Sequence, residues 1–176
     1  MAYASPSFTG LSAGTDLAVI PDHTASVALP RFVVQLHDAT RLHYDFRLQV
    51  GDVLRSWAVP RGPSLDPAER RLAVQVEDHS LAAGEFEGVH QGEARGSGAV
   101  IIWDEGTLRL LRNEQDHLSF KLDGYKLNGR FGLTHTRGRQ WILVKALDVE
   151  ARRGSDITAE QPTSVRSGRT WREMLD

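Results

Sequence analysis

The sequence contains no cysteine. That absence excludes a disulfide framework, an iron–sulfur cluster and any cysteine-ligated zinc site, so a metal here must be held by histidine and carboxylate side chains. Long apolar runs are missing as well. No stretch approaches the roughly 18 residues that a membrane-spanning helix needs, and the N-terminus has neither the basic start nor the apolar core of a signal peptide. A soluble, cytoplasmic protein is the default expectation. Lysine is scarce: only Lys121, Lys126 and Lys145 are present, which leaves 18 of the 21 basic residues as arginine. Arginine offers a planar fork suited to phosphate, although a GC-rich genome gives the same bias. Excess charge of one sign is lacking too. Twenty-one basic residues face 23 acidic ones for a net charge of −2, a balance that neither marks nor excludes a nucleic-acid partner. What remains is ordinary globular material, 176 residues with 40% hydrophobic and 25% charged, enough for one domain with an appendage.

Residues 1–30 are rich in Ser, Ala, Thr, Gly and Pro and contain no Lys or Arg. They read as an extended, flexible N-terminal arm, partly ordered at best. From Phe32 the texture changes to short alternating segments. The predicted strands are Phe32–Leu36, Arg41–Val50, Val53–Ala58, Arg71–Glu77, Gly98–Trp103, Thr107–Leu111, Leu118–Leu122, Gly129–Thr136 and Gln140–Ala146. Gly51-Asp52, Glu105-Gly106, Asp123-Gly124, Asn128-Gly129 and Arg137-Gly138-Arg139 read as turns between them, since such pairs tolerate positive φ. Many short strands without helical periodicity point to an all-β, antiparallel barrel or sandwich over residues 31–148. Residues 149–176 are polar again and read as a tail. In it Thr170-Trp171-Arg172-Glu173 has the spacing of a capping box for a short terminal helix, and Ser164–Thr170 reads as linker.

Two strands carry unusual polar faces. In Arg41–Val50, Leu42, Tyr44, Phe46, Leu48 and Val50 line one face at period two, and His43, Asp45, Arg47 and Gln49 line the other. His37 lies six residues before His43 across a tight segment. Two imidazoles and a carboxylate make a facial ligand set that leaves positions open; a surface strand with scattered polar residues is the plain alternative. In Arg71–His79 the alternation sets Leu72, Val74 and Val76 on one face against Arg71, Gln75, Glu77 and His79 on the other. Charges gathered this way cost desolvation unless a metal or an anion compensates them.

The run His37-Asp-Ala-Thr-Arg-Leu-His43-Tyr-Asp45-Phe-Arg47-Leu, then Ser56-Trp-Ala-Val-Pro-Arg-Gly-Pro63, Arg71-Leu-Ala-Val-Gln-Val-Glu-Asp-His79 and Phe86-Glu-Gly88, closely resembles the 3′-phosphoesterase domain of bacterial ligase D. Gly98–Asp104 and Gln140–Lys145 fit the same pattern. The resemblance implies a compact antiparallel β-barrel with a polar active-site groove and a divalent metal, Mn2+ by preference. It implies trimming of DNA 3′ ends in non-homologous end joining, by removal of a terminal ribonucleoside and then of the 3′-phosphate. Carried over by position, His37, His43 and Asp45 would hold the metal, while Arg47 and His79 would grip the phosphate with Arg71 and Glu77 in support. DNA ends would be the substrate, and a separately encoded ligase, polymerase or Ku the partners.

Three segments depart from the family pattern. Ser80-Leu81-Ala82-Ala83 stands where the family has Pro-Leu-Asp-Tyr, so Ala83 replaces a phosphate-contacting tyrosine. The loop Gln91–Gly98 offers Arg95 in place of Lys-Gly and Tyr-Gly elements, and the arm has no arginine to lend. The expectation is weak removal of 3′-phosphates, unless Arg95 compensates. A weakened domain that binds DNA ends or repair partners without cutting is the non-enzyme alternative. A cupin-like metal enzyme is another, since Gly51-Asp52 and Pro60-Arg61-Gly62 are similar to part of that motif, but Pro63-Ser-Leu-Asp66 stands where its next His belongs. His23, His90, His117 and His135 read as solvated or capped, and Trp57, Trp103 and Trp141 as core.

Overall fold

The computed structural model describes residues 28–92 and 95–176; the predicted N-terminal arm lies almost wholly outside them. Nine strands follow in order: β1 (Arg31–Asp38), β2 (Leu42–Val50), β3 (Val53–Val59), β4 (Arg71–Ser80), β5 (Gly88–Val89), β6 (Ala99–Asn113), β7 (His117–Gly124), β8 (Asn128–Arg137) and β9 (Gln140–Lys145). A 3₁₀ turn occupies Leu81–Glu85, and the one α-helix among the described residues, α1, is a single turn at Ile157–Glu160. The strands run β1-β2-β3-β4-β9-β8-β7-β6, every pairing is antiparallel, and β1 pairs again with β6. Eight strands therefore close into a barrel, with two-residue β5 appended to β6. Closure removes the exposed sheet edges that an open sheet would leave. The all-β, antiparallel barrel expected from the sequence is the fold, and no described helix is long and apolar enough to cross a membrane.

The interior is the apolar half of each alternating strand. Phe32, Val34, Leu36, Phe46, Leu48, Trp57, Val59 and Trp103 all belong to one buried cluster. Trp57 and Trp141 meet edge to face at 5.7 Å, a preferred aromatic geometry. All three predicted core tryptophans are buried.

Three predicted turns fall inside strands. Glu105-Gly106 is not a turn; β6 runs straight through it, pairing with β1 on one side and β7 on the other. A Cβ at Gly106 would stand 1.9 Å from the Asp123 carbonyl oxygen, so glycine is there for close strand approach. Likewise Asp123-Gly124 and Asn128-Gly129 lie within β7 and β8, and the connection is Tyr125–Leu127. Fully buried Asp104 fixes it by accepting the backbone N–H groups of Tyr125 (2.9 Å), Lys126 (3.2 Å) and Leu127 (2.8 Å). Burial pushes this carboxyl up to about 6 against the pull of those donors. Gly106→Ala should destabilise the barrel by about 2–3 kcal/mol, the upper part of the range for overpacking. That corresponds to roughly 5–10 °C in Tm for a chain of this size. Gly132→Ala, whose added Cβ meets its nearest neighbour at an ordinary 3.5 Å, is the control in the same thermal melt.

The C-terminal tail packs on the barrel, which corrects the linker reading of Ser164–Thr170. Ile157 joins the core, and Trp171 and Met174 pack against it. Val165 lies on the small outer cluster of Val33, Leu54 and Ile102, and its N–H donates to the Ile102 carbonyl at 3.0 Å. Ser164 Oγ donates to Glu87 Oε1 at 2.5 Å, and Arg166 bridges Glu85 and Glu105 at 2.6 and 2.7 Å. The predicted terminal helix is one 3₁₀ turn, Glu173–Leu175, with Thr170 Oγ1 accepting the Glu173 N–H at 3.3 Å.

Candidate metal and phosphate site

Three outward-facing residues of one hairpin supply the site's floor. In the β1–β2 register His37 lies opposite His43 and Gln35 opposite Asp45. Alternation puts all four on the same face, away from the barrel core. His43 Nε2 stands 3.1 Å from Asp45 Oδ1, and His37 Nδ1 stands 3.5 Å from Asp45 Oδ2. The two imidazole rings are 5.2 Å apart, and one donor atom from each of the three residues falls within 4.8 Å of the others.

Their electrostatics follow from packing. Burial alone would raise the Asp45 carboxyl, but hydrogen bonds from His37 and His43, with the nearby Arg47 charge, outweigh it and hold it well below the carboxylate range. The hydrogen bond to Asp45 raises His43, against the opposing effect of its own burial. His37 Nε2 is buried without a partner. A buried polar atom left unpaired calls for an explanation, and an ion among these three donors is one. The donor set suits a divalent transition metal with open positions.

Arg47, only 8% exposed, extends the site along β2. Its Nε donates to Gln35 Oε1 at 2.7 Å, Nη1 to Ser56 Oγ at 3.0 Å, and Nη2 lies 3.4 Å from Asp45 Oδ2. Gln35 Nε2 in turn donates to the Ala83 and Phe86 carbonyls, both at 3.0 Å. One glutamine thus ties the guanidinium to the 3₁₀ turn that walls the cleft. A cleft of about 680 Å³ opens over these groups, and His79, Ala83, Phe86 and His90 complete its rim.

The structure therefore brings His37, His43, Asp45, Arg47 and His79 together. It does not bring Arg71 and Glu77 into that group. Between Leu54 and Ser56 the β3–β4 register slips by one residue, so Val76 and His79 both reach the cleft although three positions apart. Arg71, Ala73 and Gln75 face the other way. Ala73 is fully buried, Gln75 accepts from Trp141 Nε1 at 3.1 Å, and Leu72 is the exposed residue. Glu77 is exposed, and His79 Nδ1 lies 2.8 Å from its carbonyl oxygen. Arg95 is exposed and does not line the cleft. Gln35, Ser56 and His90 were missed by sequence reasoning. Gln35 shares the parity of His37 on β1 and was within reach of the alternation argument; His90 sits in irregular chain and carried no periodic signal.

Residues 35–135 match the family model described as the DNA ligase D 3′-phosphoesterase domain. The chain belongs to this family. The relatives it matches are LigD proteins. The multifunctional non-homologous end joining protein LigD of Pseudomonas aeruginosa is 54% identical over 157 residues, covering 82% of this chain and 19% of that protein. LigD proteins of Mycobacterium tuberculosis and Mycolicibacterium smegmatis are 40% identical over 115 residues and 38% over 139. These cover 63% and 72% of this chain but only 15% and 18% of the relatives. The chain thus spans less than a fifth of the length of these multifunctional relatives. Every residue lining the cleft lies inside the matched segment, whereas the C-terminal tail lies beyond it.

Proposed function

We propose that this domain hydrolyses phosphoesters at DNA 3′ ends, removing a terminal ribonucleoside and then the 3′-phosphate, during end joining in the cytoplasm. The observation that carries the proposal is one cleft in which a His37, His43 and Asp45 donor set adjoins the half-engaged fork of Arg47. His37, His43 and Asp45 would hold a divalent transition metal, Mn2+ by preference. When bound, that ion supplies Lewis-acid charge and lowers the pKa of a coordinated water. The remaining work falls to the chain. Arg47 orients the phosphate through its free N–H groups, and His79 donates a proton toward the leaving oxygen or stabilises charge there. Arg71 and Glu77, standing outside the cleft, are proposed to support β4 and not to touch substrate. DNA ends are the proposed substrate; a separately encoded ligase, polymerase or Ku are the proposed partners.

A single-turnover assay on primer–templates ending in a ribonucleotide or a 3′-phosphate tests this. With manganese, the ribonucleotide end should shorten to a 3′-phosphate and then to a 3′-hydroxyl, and chelator should stop both steps. Tight binding of the same ends without cleavage under any divalent ion would replace hydrolysis with the reading of an end-binding domain, which Ala83 in the cleft wall favours.

A further inference from the structure

The wall of the cleft built by residues 81–90 is poor in hydrogen-bond donors. Ala82 and Ala83 present methyl groups and Phe86 presents a ring, so His90 is the one side chain of that wall with an N–H to give. Its imidazole lies flat on Phe86, with centroids 4.3 Å apart and planes inclined by 17°, and stands 5.8 Å from the His37 ring. His90 does not join the three residues whose donor atoms lie within 4.8 Å of one another. It stands beside that group, where a ligand held there would pass.

The backbone fixes this placement. His90 N–H donates to the Gly98 carbonyl at 2.9 Å, and Gly98 N–H donates to the Asp38 carbonyl at 2.9 Å. The segment carrying His90 is thereby fastened to the residue after His37. Gly98 has φ of +70°, and a Cβ on it would stand 2.8 Å from the His90 carbonyl oxygen, so the fastening requires glycine.

We propose that His90 binds substrate, donating a hydrogen bond to a terminal oxygen of the phosphate and so favouring a 3′-phosphomonoester over a diester. This rests on the reading of the cleft as a phosphoester site. A monoester has three non-bridging oxygens and a diester two. The floor offers donors for two of them, the free N–H groups of Arg47, while His79 on the β4 side serves the leaving oxygen. The third must be met from the 81–90 wall, where His90 is the donor. The compensation that the sequence places on Arg95 falls instead to this histidine, whose ring is pre-oriented by Phe86.

The test uses the full chain, metal-free and with one equivalent of manganese, titrated calorimetrically with inorganic phosphate. His90→Ala should weaken phosphate binding about tenfold, the low end for a hydrogen bond to a charged group. His90→Gln, which keeps an N–H, should recover most of the loss, and manganese affinity should not change. On substrates, His90→Ala should lower kcat/KM for 3′-phosphate ends about tenfold while ribonucleoside removal changes much less. Unchanged phosphate affinity, equal losses on both substrates, or a fall in manganese affinity would each overturn the assignment. A wild-type chain that binds phosphate through His90 yet cleaves neither substrate would leave the assignment standing and remove the hydrolase reading. Cleavage of both ends with no effect of His90→Ala would do the reverse.

Discussion

His43→Ala should abolish manganese binding at stoichiometric concentrations and with it both end-trimming steps. Loss of an outer partner of a metal ligand alone lowers affinity about 10–100-fold, so removal of one of three ligands should exceed roughly 100-fold. Calorimetry with manganese on wild type and variant reads this directly, and equal binding by the two proteins would remove the site from consideration. The same titration has a predictable pH course. Only neutral imidazole coordinates, and the hydrogen bond to Asp45 keeps His43 protonated above its ordinary range. Metal affinity should therefore go on rising above pH ~6.5 before it levels, while Asp45, held well below the carboxylate range, remains charged throughout. Linkage gives a companion effect. A histidine whose folded pKa is raised stabilises the metal-free protein fully below the unfolded value and loses that contribution as pH rises through the folded value. The gain in Tm on adding manganese should accordingly be larger at pH 8 than at pH 6.

Arg47→Lys should lower kcat/KM on either 3′ end by roughly two orders of magnitude, the scale seen when a preorganised charge-stabilising donor is lost. A guanidinium has five N–H groups. In Arg47 one goes to Gln35, one to Ser56 and one toward Asp45, which leaves one on each terminal nitrogen. Those two form the parallel pair that suits two phosphate oxygens. An ammonium keeps the charge but has three donors on one atom, and cannot satisfy Gln35 and Ser56 while reaching a substrate. The loss should appear without any change in manganese affinity, since Arg47 is not among the ligand atoms. Full activity in Arg47→Lys would show that charge alone suffices and would defeat the fork argument.

The face of β2 was legible because its alternation is unbroken from Leu42 to Val50, with every apolar residue on one side. That single strand gave His43, Asp45 and Arg47 their common direction, and the short step back to His37 gave the fourth. The reading of β4 failed because residue identity there runs against burial. Trp57 and Trp141 fill the adjacent interior, so the position paired with Trp141 admits only Ala73, and Leu72 is turned outward at 42% exposed. The slip against β3 then moves His79 into the cleft without Glu77, and no two-residue period contains a slip. Gly106 failed for a related reason: a glycine that lets strands approach looks, in sequence, like one that lets a chain turn. His90 depends on a backbone link to Gly98 across a loop, a contact that no local pattern encodes.

The three donor residues at the floor of the cleft sit on one hairpin, with His37 directly across from His43, whereas the seam that closes the barrel joins Arg31 to Thr107. A hairpin forms in about 1–10 μs, and pairing between distant parts of a chain comes later because its loop must first be closed. The ligand set can therefore be assembled while the opposite wall of the cleft is still unmade. An ion captured at that stage would act as a register gauge for the young hairpin, since a one-residue slip turns His43 to the core face. A chain that paired its first two strands one residue out of register would turn His43 away from His37, and would lack the three-donor set before the barrel closed.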